Sequence, residues 1–355
     1  MSQELIRQTA ADKTERIHMP TRFFHRSRFL AAFLICGALF IAAFAVSAIW
    51  AERGGVPWNN GDATVPPPLD DGEGDAQPPA PERPSDTTDA PAIEIPTGAT
   101  PVLDADLSAS SFGAYYVNNE TIYSPNVQEL LQTDLSCEVS EAPLVLILHT
   151  HTSESYLTEG TPYVEGEVGD LTYTRDNAQN VVAVGEVLAD TLNKNGITAI
   201  HCTVMHDMPT LAGSYTRAAE SIRFYLEQYP TIRYVIDLHR DAVLNADGAY
   251  LRAVCQKEDG ERVAQVMAVV GSDGGGEAHP QWERNLALAL QLRAHLNGTL
   301  EGVCRPPMLK NATYNQELSP YSILLEIGTG GNSLAEAERA AVMVGEALAT
   351  VLKGQ

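Results

Sequence analysis

Three short, branched apolar runs constrain the fold most, because each ends at residues that can bind a metal or move a proton. They are Leu144-Val145-Leu146-Ile147-Leu148 before His149-Thr150-His151, Tyr234-Val235-Ile236-Asp237-Leu238 before His239-Arg240-Asp241, and Ser322-Ile323-Leu324-Leu325 before Glu326. Runs of this length and branching read as strands buried on both faces. In open α/β sheets, ligands sit just beyond the carboxyl ends of such strands. Imidazoles and a carboxylate converging there predict a catalytic metal centre.

The rest of the chain alternates accordingly. A polar loop over 152–175 leads to a helix starting near Asp176-Asn177, whose apolar face is Val181, Val184, Leu188 and Leu192 and whose end is Asn195-Gly196. A strand over 197–204, a helix over 215–228, a strand over 233–238 and a strand over 265–270 follow, the last closed by Gly271-Ser272-Asp273-Gly274. Residues 282–296 and 334–352 are strongly helical. The expectation is an α/β fold: a mainly parallel sheet with helices on both faces.

The N-terminal third reads differently. Residues 1–28 are polar and carry Arg7, Lys13, Arg16, Arg22, Arg26 and Arg28, and residues 29–51 are apolar and uncharged. At about 1.5 Å per residue that run is long enough for a hydrocarbon core of roughly 30 Å. It predicts one transmembrane helix in a single-pass membrane protein, its basic N-terminal tail cytoplasmic and the bulk of the chain extracytoplasmic. A cleaved signal peptide is the alternative, with Ala45-Val46-Ser47-Ala48 as its site. Residues 52–101, rich in Pro, Gly, Asp and Glu, read as a disordered spacer, leaving 102–355 as the functional domain. A net charge of −23 excludes a nucleic-acid partner. Cys137, Cys202, Cys255 and Cys304 form no C-x-x-C pair, so both disulfides and buried thiols stay open.

A catalytic zinc takes three ligands from His and carboxylate and keeps a position for water, and a nearby Glu shuttles the proton. The chain offers His149 or His151, then His239, several carboxylates within 152–176, and Glu326. Glu326 interrupts an apolar run, which needs a functional or ion-pair reason. Arg240 and Asp241 are placed to orient ligands or hold a substrate carboxylate. Asn315 and Gln316 could bond to substrate amides.

Leu148-His149-Thr150-His151-Thr152-Ser153-Glu154-Ser155-Tyr156, Asn180-Val181-Val182-Ala183-Val184-Gly185, Ile236-Asp237-Leu238-His239-Arg240-Asp241, Tyr314-Asn315-Gln316 and Leu325-Glu326-Ile327-Gly328 resemble, in order, the motifs of the stage II sporulation protein P family. The likeness runs from about residue 112 to the C-terminus. That family is similar to the zinc-dependent N-acetylmuramoyl-L-alanine amidases. The resemblance implies a Zn2+ cofactor, peptidoglycan as substrate, amidase and cross-link endopeptidase activity in forespore engulfment, and stage II sporulation proteins D and M as partners. Carried over, it makes His151 and His239 ligands and Glu326 the catalytic glutamate, with Asp176 or Glu154 as third ligand. Another zinc peptidase or carboxypeptidase, or a wall-binding scaffold without turnover, are the rival readings.

Overall fold

The computed structural model describes residues 95–96, 99–108, 117–165 and 172–355, all within the compact unit Asp86–Gln355. In chain order the strands are β1 (Ala99–Ala105), β2 (Asn118–Asn119), β3 (Val145–Leu148), β4 (Tyr163–Glu165), β5 (Ala199–His201), β6 (Tyr234–Asp241), β7 (Tyr250–Gln256), β8 (Arg262–Ala264), β9 (Val266–Gly271), β10 (Met308–Lys310) and β11 (Tyr321–Thr329). The helices are α1 (Val127–Leu130), α2 (Val181–Lys194), α3 (Ser214–Gln228), α4 (Trp282–Thr299) and α5 (Leu334–Lys353).

A seven-stranded sheet runs β2-β10-β9-β11-β6-β3-β5. Its strands are buried on both faces, as their composition requires. Ile147, Ile236, Leu238, Ile323, Leu325 and Ile327 face one way, into a core with Val184 and Leu188 of α2, Leu286 and Leu290 of α4, and Val344 and Leu348 of α5. Leu146, Leu148 and Val235 face the other way, against Ala218 and Ile222 of α3. The α/β fold with helices on both faces is therefore present. The expected predominance of parallel pairing is corrected: the sheet is mixed, since β11 pairs in parallel with β6 but antiparallel with β9. A strand buried on both faces carries no directional mark in its side chains, so alternation alone misjudges such a ladder.

A second, four-stranded mixed sheet, β4-β1-β7-β8, has no counterpart in the sequence reading. Its β1 starts at Ala99, inside the stretch assigned to the spacer. It is tied down by Arg262, which donates to Asp104 at 2.7 and 2.9 Å and to Glu336 of α5 at 2.9 Å. Helix α2 starts later than expected: Asn180, not Asp176, is its N-cap, accepting from Val182 N. All four of the cysteines 137, 202, 255 and 304 are free thiols.

The single-pass membrane placement is also corrected. Among the described residues no helix is long and apolar enough to cross a membrane. The tail over 1–28, the segment over 29–51 and nearly all of 52–101 lie outside the described residues. Hydropathy alone had carried that placement.

Candidate metal centre

The carboxyl ends of β3, β6 and β11 meet, as the three apolar runs required. In-register parallel pairing puts Glu326 of β11 directly beside His239 of β6. Just past Glu326 the register shifts, with Gly328 at φ +73° inside β11. Such a bulge, accessible to glycine, re-aims neighbouring side chains at a strand end. His151 follows β3 by three residues. Glu154 lies one turn on, in a loop pinned by Glu154 N to His151 O at 3.1 Å and by Val181 N to Glu154 O at 2.8 Å.

Three side chains converge. The carboxylate of Glu154 has Oε1 3.4 Å from His151 Nδ1 and Oε2 3.2 Å from His239 Nδ1. One ligand atom from each of His151, Glu154 and His239 lies within 4.8 Å of the other two. The rings of His151 and His239 meet edge to face at 5.0 Å. On the other side of His239, Nε2 lies 3.0 Å from Asp237 Oδ1. Asp237 is fixed in turn by Thr150, whose N donates to Oδ1 at 2.7 Å and whose Oγ1 donates to Oδ2 at 2.6 Å.

The electrostatics follow from this crowding. Burial opposes a charge on His239, but Asp237 and Glu154 outweigh it and raise its pKa well above the ordinary histidine range. Burial would push Glu154 up, yet His239, His151 and Arg240 hold it well below the usual carboxylate range. The charges of His239 and Arg305 compensate Glu326 only in part. Burial, aided by Glu154 and Asp241 and opposed by His239, raises its pKa to about 8, and its Oε2 is enclosed without a hydrogen bond. Two carboxylates thus face one imidazole, carrying more negative charge than a single proton balances. That donor set suits a divalent cation.

The model of the stage II sporulation protein P family matches residues 109–349. The chain belongs to this family. Stage II sporulation protein P of Bacillus subtilis (strain 168) is 29% identical over 209 residues, covering 56% of this chain and 48% of that protein, so the chain spans about half the length of this relative. Among solved structures, an N-acetylmuramoyl-L-alanine amidase from Clostridium difficile 630 aligns over 59% of this chain and 95% of its own, at 14% identity and a TM-score of 0.35. The amidase AmiC2 of Nostoc punctiforme aligns over 61% and 97%, at 16% identity and a TM-score of 0.33.

Several residues singled out in the sequence lie elsewhere. His149 is fully buried behind the centre, with Nδ1 2.8 Å from Leu238 O and Nε2 2.8 Å from His201 Nε2. Burial and then the neighbouring His201 lower its pKa to about 3. Asp176 is exposed and accepts from Ala178 N at 3.0 Å, which caps a local turn. Arg240, read from the sequence as able to orient ligands or hold a substrate carboxylate, is occupied by protein groups. Its guanidinium is buried, donates to Thr172 O, Thr172 Oγ1 and Ser155 O, and lies over the Tyr173 ring. Its backbone N donates to Glu154 Oε2 at 3.2 Å, so it steadies the centre from behind.

Gln316 is buried, accepting from Gly271 N and donating to Val269 O, which leaves it spent on β9 rather than on a ligand. Asn315 donates Nδ2 to Tyr215 O at 2.8 Å. Asn315 and Tyr314 both have left-handed φ, +60° and +54°, a conformation costly for side-chain-bearing residues. Asp241 accepts from Arg305 Nη1 at 2.9 Å. Two residues at the site were not foreseen. Tyr215, in the first turn of α3, packs edge to face on His151 at 5.6 Å. Arg305, in Cys304-Arg305-Pro306-Pro307, lies in a segment with no periodicity or motif to mark it.

Proposed function

We propose that the chain is a zinc-dependent peptidoglycan hydrolase of sporulation, an N-acetylmuramoyl-L-alanine amidase that also opens peptide cross-links, acting in forespore engulfment. The observation that carries this reading is Glu154 facing both His151 and His239, with Glu326 in register beside His239. Family membership supports the biological setting. The hydrolase domain is 102–355, with β1 extending it back to Ala99.

His151, Glu154 and His239 would hold the ion. A zinc ion there supplies Lewis acidity, which makes water nucleophilic near neutral pH and polarises an amide carbonyl. Asp237, locked by Thr150, lies 3.0 Å from Nε2 of His239 and places a second buried negative charge against that ring. Glu326 Oε2 is buried and unpartnered, in register beside His239, so this carboxyl is free to accept and release a proton at the site. It takes the proton of the attacking water and delivers it to the departing nitrogen. Tyr215, whose pKa is raised well above 10 by burial and by Asp237, keeps its hydroxyl proton at physiological pH.

Digestion of purified peptidoglycan by the full chain, with products identified by mass, tests this reading. Release of free stem peptides that depends on zinc and is lost in Glu326→Ala supports it. A folded, zinc-loaded chain that binds the wall without any release would favour the scaffold reading instead.

A further inference from the structure

Arg305 is more than nine-tenths buried, yet two of its donors, Nε and Nη2, are enclosed without a hydrogen-bond partner. Its remaining terminal nitrogen, Nη1, donates to Asp241 Oδ2 at 2.9 Å. The backbone explains where this side chain goes. Cys304 is bridged to Val266 at the start of β9, and Arg305 N donates to Val266 O at 2.8 Å. Cys304 is buried in the core shared with the helices, so alternation turns Arg305 to the opposite side. Met267, the register partner of Glu326, lies on that same side. Arg305 therefore leaves the backbone beside the start of β9 on the face that carries Glu326 and reaches Asp241 at the end of β6, and its charge acts on Glu326.

The identity of the two idle donors matters. In a guanidinium, Nε–H and one Nη2–H project side by side and match the two oxygens of a carboxylate. Asp241 takes the other edge and holds the plane in place. Leaving two donors of a buried cation unpaired costs stability, so the arrangement calls for a ligand. Arg240 offers the contrast, since its guanidinium is consumed by Thr172 and Ser155.

We propose that the Nε/Nη2 edge of Arg305, oriented by Asp241, is a carboxylate-binding subsite beside the metal centre, which anchors a free carboxylate of the peptide part of the substrate. The identity of the ligand rests on the peptidoglycan reading. The site itself rests on the unpartnered fork.

The test is calorimetric titration of the zinc-free full chain, in which no turnover competes, with two synthetic muramoyl stem peptides. One has free carboxylates and the other has them converted to amides. The native chain should bind the carboxylate form about tenfold or more tightly. Arg305→Gln should bind both forms alike, and Arg305→Lys should keep part of the preference, since it retains charge but loses the fork. Equal binding of both peptides by the native chain would overturn the proposal without any variant having to fold. So would a preference that survives in a folded Arg305→Gln chain. Cleavage of peptidoglycan without this contrast removes the subsite and leaves the hydrolase reading intact. The contrast without cleavage does the reverse.

Discussion

Two histidine pairs flank the end of β3, and they differ in what surrounds them. His149 and His201 meet nitrogen to nitrogen at 2.8 Å, and among the described residues only Glu186, 3.1 Å from His201 Nδ1, is in ion-pair range. Burial leads in lowering the pKa of both. His151 and His239, only two residues further along β3 and across on β6, share Glu154, and His239 also has Asp237. Residue type does not separate the pairs. The count and placement of buried carboxylates does, and that is what equips one pair for a cation while the other is packing.

The sharpest way to break this comparison is to remove a carboxylate or histidine of the second pair. Glu154→Ala or His239→Ala should lower zinc affinity and hydrolysis by at least about 100-fold, measured by equilibrium dialysis and product release. Asp176→Ala, at an exposed turn, should change zinc affinity less than about twofold.

Glu326 sharpens the contrast through pH. In the metal-free folded chain it keeps its proton up to about pH 8, against 4.5 for an unperturbed carboxyl. Because folding raises this pKa, the stability it contributes is present below 4.5 and is lost as pH rises through 8. Glu326→Gln should therefore match the native chain near pH 4.5 and exceed it at pH 9 by roughly 2–4 kcal/mol in denaturant titrations. A native chain that gains on the variant as pH rises would reverse the assignment of that burial.

The first pair is best disturbed through Gly185. A Cβ there would lie 2.6 Å from His201 Nε2 and 2.7 Å from His149 Nε2. Gly185→Ala should cost about 1–3 kcal/mol of stability, read from thermal melts, with zinc stoichiometry unchanged. Loss of zinc binding in a folded Gly185→Ala chain would show that the two pairs work as one.

The sequence made β3, β6 and β11 legible because a doubly buried strand needs an unbroken apolar run, and it made their polar ends legible as a site. His239 and Glu326 came from that logic, while Glu154 entered as the alternate to Asp176 through the motif that carries the family resemblance. What it missed has physical causes. The direction of β9 leaves no trace in Val266-Met267-Ala268-Val269-Val270. The choice of Glu154 over Asp176 depends on how the loop after β3 folds back onto His151, which is a matter of backbone bonds rather than spacing. Adjacency to His239 drew attention to Arg240 and passed over Arg305, because sequence does not tell which guanidinium finds carbonyls to satisfy it. The small sheet around β1 escaped because its first strand, Ala99-Thr100-Pro101-Val102, adjoins a proline-rich stretch and shares its turn-forming composition.

The most direct test of the central claim is zinc stoichiometry of the full chain and four variants at equal free zinc. One tight ion per chain is expected for the native protein, for His149→Gln and for Asp176→Ala, and none for His151→Ala or Glu154→Ala. Tight zinc retained by a folded Glu154→Ala chain, or lost from Asp176→Ala, would contradict the His151–Glu154–His239 centre.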